Sequence, residues 1–383
     1  MPAKPLNILL LYDCVYPESL GGVEHRNACL AKALAERGHR VTVAGWVRAP
    51  HETPPGVTVL PMALRTKLYD PSGKRGALTS LKFALATLKL DLRPFDVIET
   101  ANIPYVHLLP LALRCAWGRK PLAVTWYEHF GPLWSAYKGP WSAPVFRAIE
   151  WLCAQIGHFL SASSPLTAER VRQSRLRGGA IPVIPCGVAL DTIRRAAPRA
   201  APPLIYAGRL MREKRLDLLL RALPFLPSPP DAPLLGIIGD GPDRQRLEAL
   251  AVELNLTERV RFYGRVPTTD DVWSLMAGAR IAVQPSGREG FGMFPLEAMA
   301  LGLPVVYCES PDNAVGAIVR PGIEGLCVAP DPQALAAALD VLLRDKERWK
   351  DLSRNATLRA QRYDWSAIAE EIESFFIGAQ AAS

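Results

Sequence analysis

The sequence predicts an α/β protein made of two parallel sheets, each covered by helices on both faces. Three observations predict it. At 383 residues the chain is too long for one ordinary core, and with 49% hydrophobic residues each half can bury a core of its own. Short apolar runs alternate with helical stretches along most of the length, the pattern of strands joined by crossover helices. A proline- and alanine-rich segment, 194–203 (RRAAPRAAPP), interrupts that alternation once and reads as a linker. The expected division is a first domain over 1–196, a linker over 197–203, a second domain over 204–362 and a terminal helix over 363–383.

In chain order, 6–12 is a fully apolar run, as in a buried parallel strand. A loop follows to Gly22, then a helix with apolar spacing at Val23, Leu30 and Leu34 that ends at Gly38. Further strands are expected at 41–44, 57–60, 97–100, 122–126, 158–161 and 183–184. In open sheets of this kind ligands sit at the carboxyl ends of the strands. Three loops of the first domain lie there. Gly21-Gly22 offers bare backbone ahead of a helix, although the absence of GxGxxG speaks against a nicotinamide cofactor. The other two are 99–102 (ETAN) and 127–131 (YEHFG). After the linker, 204–207 is a strand leading to Gly208-Arg209 and Glu213-Lys214, which puts two cations where a diphosphate would need them. Strands at 234–239, 260–263, 305–308 and 325–328 and helices at 215–223, 244–254 and 331–343 complete the second domain, with Asp240 a turn or capping residue.

The stretch with most chemistry is 284–306, QPSGREGFGMFPLEAMALGLPVV. A strand at 281–285 runs into a glycine-rich turn, and a short helix is expected to open at Pro295, where the missing N–H is not needed, and to stop at Gly302. The amides of Gly290, Phe291, Gly292 and Met293 then face the positive end of the helix dipole, a place for an anion. Glu289 and Glu297 bracket that turn, and two acids beside an anion site suit sugar hydroxyls.

Glu289-x7-Glu297 with GFG and EAMALGLPVV resembles the signature of the retaining glycosyltransferases of family 4, which have the GT-B fold: two Rossmann-like domains facing each other across a deep cleft. GRLxxEK at 208–214 resembles the phosphate-binding pair of that family, and GGVE at 21–24 its first loop. The resemblance covers nearly the whole chain, strongly over 204–330 and loosely before it. It implies that Glu297 holds the nucleotide ribose, that Glu289 and the amides of 290–293 meet the donor sugar and diphosphate, and that Arg209, Lys214 and Glu289 carry the catalysis. It also implies that Gly21 and Gly22 reach the donor and that the terminal helix packs back on the first domain. The family commonly presents a histidine in a T-x-H-E string after the fifth strand. Here the string is Thr125-Trp126-Tyr127-Glu128, with His129 two residues later. Tyr127, Glu128 and His129 all stand near the donor, and whether Tyr127 or His129 takes the histidine's part is open; a structural hydrogen bond is the favoured role for His129. The loop after 260–263 lies beside the nucleotide base in relatives, where backbone does the reading.

The implied reaction is sugar transfer from a nucleoside diphosphate to an acceptor hydroxyl with retention, UDP-sugar ahead of GDP-sugar. The expected cofactor and metal sets are both empty: there is no Asp-x-Asp, and two cations can do the work of a metal. Other readings share parts of the pattern: a retaining glycosidase, whose carboxylates must flank a glycosidic bond, a sugar-nucleotide epimerase of the same architecture, and a non-catalytic subunit that binds the sugar nucleotide.

Charge is unevenly shared. Residues 1–196 carry 24 Lys and Arg against 13 Asp and Glu, the remainder 21 against 24. Lys67, Lys74, Arg75, Lys82, Lys89 and Arg93 crowd one stretch with apolar residues between them (LTSLKFALATLKL). Such a segment can rest on an anionic membrane or collect a phosphorylated acceptor, or be a solvated helix face. No nucleic-acid module accompanies it. Seven cysteines without CxxC or Cys/His spacing fit reduced core residues. No long apolar leader and no spanning run of 18 residues is expected. The picture is a cytoplasmic enzyme, peripheral on the inner membrane face, assembling a bacterial surface glycan or glycolipid with a hydroxyl acceptor that can be lipid-linked.

Overall fold

The computed structural model describes residues 4–18, 21–47, 52–62, 76–157, 159–227 and 233–381. Lys67, Lys74 and Arg75, named above, lie outside these, as does the first residue of the strand expected at 158–161. The chain divides into two compact units, Met1–Gly187 with Trp365–Ser383, and Val188–Asp364.

The first unit runs β1 (Asn7–Cys14), α1 (Gly22–Glu36), β2 (Arg40–Trp46), β3 (Val57–Met62), α2 (Ala77–Thr87), β4 (Val97–Ala101), α3 (Leu108–Trp117), β5 (Leu122–Trp126), α4 (Trp134–Lys138), α5 (Ala143–Ala154), β6 (Phe159–Ala162) and α6 (Pro165–Ser174). All pairs are parallel, in the order β3-β2-β1-β4-β5-β6. β1 and β4 lie at its centre, with β5 beside β4; β4 and β5 are buried at every position, the polar Glu99, Thr100 and Thr125 included. Two expectations change. Glu99 and Thr100 belong to β4 itself, so only Asn102 of that quartet stands in a loop. Val183 makes a single bridge with Ala162 and no strand forms at 183–184, because Pro182 and Pro185 flank it and cannot donate to a ladder.

The second unit runs α7 (Leu190–Ile193), β7 (Leu204–Ala207), α8 (Leu216–Ala222), β8 (Leu235–Ile238), α9 (Arg244–Glu253), β9 (Val260–Gly264), α10 (Thr269–Ala277), β10 (Ile281–Gln284), α11 (Met293–Ala300), β11 (Val305–Cys308), β12 (Gly325–Val328), α12 (Pro332–Arg344) and α13 (Lys346–Ala360). Its sheet is also parallel and reads β9-β8-β7-β10-β11-β12, the same winding as the first. The expected linker is not loose chain between units. The break falls at Gly187/Val188, and 194–203 lies on the second unit: the Arg199 amide donates to the Ser274 carbonyl at 2.9 Å and its guanidinium meets Asp271 at 3.0 Å. Proline and alanine there mark an ordered strap, a composition that sequence alone does not separate from a linker.

α14 (Trp365–Ala381) then returns to the first unit and packs on α1. Arg37 and the buried His39 both donate to Glu373 of α14, the histidine at 3.0 Å, while the His39 Nδ1 accepts from the Leu6 amide. Gly187 sits so close to the Trp365 indole that a Cβ there would come within 2.6 Å of the ring.

Candidate functional site

In each sheet the winding reverses between the first and fourth strands, and crossovers on either side run to opposite faces, opening a crevice at the carboxyl ends. In the second unit these strands are β7 and β10, paired in parallel. The sequence leaving β7 is Gly208-Arg209, a short turn over Arg212–Lys214 and Arg215 in left-handed backbone (φ 52°). The sequence leaving β10 is the glycine-rich turn.

The two turns are stitched together. The Gly287 amide donates to the Glu213 carbonyl at 2.9 Å, Arg288 reaches the Glu213 carboxylate at 3.4 Å, and Lys214 Nζ meets Glu289 Oε1 at 2.5 Å. The same oxygen accepts from Ser286 Oγ at 3.3 Å and from the Gln284 amide. Backbone bonds from Glu289 to Asp312 and from Ala314 to Glu289 fix its position. Lys214 carries three donors, so its pairing with Glu289 leaves N–H groups for a phosphate oxygen. Arg209 stands exposed at the end of β7, its carbonyl accepting from the Tyr206 hydroxyl at 3.3 Å.

α11 begins at Met293, two residues before the position expected from Pro295. Gly292 caps it in left-handed backbone (φ 108°), which L side chains rarely adopt. Pro295 therefore falls at the third helical position, where its missing N–H still costs nothing. No side chain caps this end, so the first-turn amides keep their capacity for an anion. Phe291 is buried, and Gly290 and Met293 are half-buried. Glu297 lies one turn along α11; burial pushes its carboxyl up to about 7, and a hydrogen bond from the Trp273 indole of α10 acts against that shift.

In the first unit the switch lies between β1 and β4. Gly21 caps α1 in extended backbone and Gly22 opens the helix; a Cβ on Gly21 would collide with the buried Glu24 carboxylate. Beyond β5, the Tyr127 hydroxyl is buried without a protein partner, and its ring lies beneath the Arg26 guanidinium, 5.5 Å from the centroid. Burial, the largest influence, holds its hydroxyl well above the usual range, so it stays a hydrogen-bond donor. The Glu128 carbonyl accepts from the Asn102 amide at 3.0 Å. His129 stacks on Trp126 and bonds Ser174 Oγ at 2.7 Å; its burial lowers its pKa and keeps it neutral.

Two sequence-family models match, "Glycosyl transferases group 1" over 193–359 and "Glycosyltransferase Family 4" over 20–192. A phosphatidyl-myo-inositol mannosyltransferase of Mycobacterium leprae is 30% identical over 92% of this chain and 91% of its own. This chain is a family 4 glycosyltransferase. A D-inositol 3-phosphate glycosyltransferase of Corynebacterium urealyticum is 35% identical, over 49% of this chain and 46% of its own length. Among solved structures, sucrose-phosphate synthase of Thermosynechococcus elongatus superposes with a TM-score of 0.81 at 23% identity, covering 99% of this chain and all of the other. An Anabaena protein solved with UDP-glucose superposes at 0.72 and 19% identity, covering 97% and 100%. The fold is GT-B.

The structure of this glycosyltransferase also brings forward residues the sequence did not single out. Gln284 and Ser286 hold Glu289; a glutamine closing the apolar run IAVQ was the available signal. Arg26 bonds Glu99 at 3.0 Å, and Thr125 donates to the same carboxylate oxygen at 2.7 Å, all three buried. Glu150 of α5 gathers four donors: the Tyr105 hydroxyl, the Phe130 and Gly131 amides and the Trp134 indole, at 2.7 to 3.0 Å. It thereby fixes the loop behind Tyr127 and His129. An acid on the otherwise apolar face of VFRAIEWLCA was its only trace in the sequence.

Proposed function

We propose that this glycosyltransferase moves a sugar from a nucleoside diphosphate to an acceptor hydroxyl with retention at the anomeric carbon. The observation that carries the reading is the Lys214–Glu289 pair at 2.5 Å, formed where β7 and β10 end and beside an uncapped helix start. A diphosphate leaves with growing negative charge. Lys214, Arg209 and the amides of Gly290 to Met293 are fixed positive groups that stabilise it without reorganising. That arrangement supports a reaction independent of divalent metal, in which added chelator leaves the rate unchanged. Glu289, already held by Lys214, Gln284 and Ser286, orients the sugar, and the leaving phosphate oxygen takes the acceptor's proton as the new bond forms on the same face. Glu297 holds the ribose, while Gly21, Gly22, Tyr127 and Glu128 serve the donor from the first unit. The packing of His129 against Ser174 and Trp126 favours Tyr127 over it as the group that reaches the sugar.

The UDP-glucose complex of the Anabaena neighbour supports a UDP-sugar as first donor, with GDP-sugars second. The inositol-phosphate and phosphatidylinositol activities named for the relatives support a cyclic polyol, free or on a lipid, as acceptor, and with it a role in glycolipid or surface-glycan assembly at the cytoplasmic membrane face. Purified protein incubated with UDP- or GDP-sugar and phosphatidylinositol or inositol phosphate tests the reading. Product with the donor's anomeric configuration by NMR supports it. Conversion of the nucleotide sugar with no acceptor present would instead favour an epimerase, and donor binding without turnover a binding subunit.

A further inference from the structure

α2 is apolar on both of its faces. Phe83, Ala84 and Thr87 point into the core, yet Leu78, Leu81, Leu85 and Leu88, spaced three, four and three residues apart, are 65%, 51%, 55% and 48% exposed. A helix lying on a water-facing surface places polar residues there, and large leucines repeated at helical spacing mark a contact surface rather than scattered exposure. α3 lies alongside: the Phe83 ring is 5.1 Å from His107, and Arg114 Nη1 donates to the Thr87 carbonyl at 2.7 Å. It adds Leu113, 74% exposed, and Trp117, 93% exposed.

Charge decides what covers this face. Lys82 stands exposed among the leucines of α2, Lys89 stands exposed just past its end beside Leu88, and Arg119 lies two residues beyond Trp117. The acids within 76–120 are all occupied: Glu99 is buried with Arg26, Asp96 accepts from the Asn7 amide, and Asp91 is held by Arg93. The face is therefore apolar and positive together. A second protein copy would bring its own lysines against these, whereas an anionic bilayer takes leucines into its acyl boundary, a tryptophan at headgroup depth and lysine heads on phosphates. No helix among the described residues is long and apolar enough to cross a membrane, so the helices would lie in the plane of the interface.

We infer that the outer face of α2 and α3 docks this protein on anionic membrane. The inference rests on the membrane part of the reading above and names its surface; it does not depend on the chemistry of transfer. The test is co-sedimentation of the full chain with vesicles of phosphatidylcholine alone or with one third phosphatidylglycerol. The wild type should bind only the anionic vesicles, and less at high salt. Leu81→Ser with Leu85→Ser, and separately Lys82→Glu with Lys89→Glu, should each weaken binding at least about tenfold, while both variants keep the thermal shift given by UDP. If both variants bind like the wild type, the face is wrong although membrane association stands. If the wild type ignores anionic vesicles, face and membrane reading fail together, and transfer to soluble inositol phosphate is judged by its own assay. A dimer seen by light scattering and abolished by the leucine changes, without vesicle binding, would overturn the inference in favour of a protein interface.

Discussion

Glu297→Gln separates the physics of the proposed ribose site from its function. The carboxyl is raised from 4.5 to about 7 in the folded protein, chiefly by burial. A folded-state pKa above the unfolded one means that the protonated form is favoured by folding. The contribution is full below pH 4.5, declines as the unfolded chain ionises, and is lost once pH passes about 7. At about 1.4 kcal/mol per unit, the shift corresponds to roughly 3 kcal/mol. Glutamine cannot ionise, so the variant should match the wild type near pH 4.5 and exceed it by up to about 3 kcal/mol at pH 8, on the order of 6–10 °C in Tm for a unit of this size. Sugar hydroxyls donating to the charged carboxylate would reverse the penalty. Nucleotide should therefore bind the wild type with release of a proton between pH 5 and 7, and bind the variant more weakly. Scanning fluorimetry at four pH values, with and without UDP, reads the stability; calorimetry in two buffers of different ionisation enthalpy reads the proton. Parallel melting curves for the two proteins from pH 5 to 8 would refute the reasoning.

Glu289→Gln should lower kcat by about 10²–10³ while UDP affinity changes little, because in the proposed reaction that charge orients the sugar; an unchanged kcat removes Glu289 from the mechanism. Lys214→Ala should weaken UDP binding and cut kcat/KM by about 10² or more, measured by initial rates and UDP titration, with UMP affinity nearly unaffected. Glu150→Ala leaves four donors in a buried place and should destabilise the first unit by about 3–5 kcal/mol in urea melts; Glu150→Gln should recover part of it. Glu373→Ala strands Arg37 and His39 and should loosen α14, seen as faster amide exchange over 365–381 than over β4.

What could be read from the chain was what lies close along it. A strand, a glycine turn and a helix start within 281–300 are consecutive, so residue types at fixed offsets disclosed the candidate site, and apolar runs disclosed all twelve strands to within two residues of their final bounds. Local signals failed where two local preferences compete. Proline at 295 suits a first helical position, but Gly292 can adopt the left-handed cap and the helix starts sooner. Prolines around 183 block a ladder that valine and isoleucine favour.

The site's working contacts join residues far apart in sequence, and no local rule ranks such partners. Lys214 and Glu289 are 75 residues apart and meet because β7 and β10 are neighbours at the reversal of winding. Arg26 finds Glu99 because β1 and β4 are neighbours at the other reversal, and Glu150 finds its donors where α5 packs on the turns after β4 and β5. The sequence by itself determined which groups carry charge and which backbone can bend to meet a ligand, since those are properties of single residues and their near neighbours. The tertiary structure alone decided which carboxylate each cation faces and which are stripped of water, because pairing and desolvation depend on what the sheet order brings within about 4 Å.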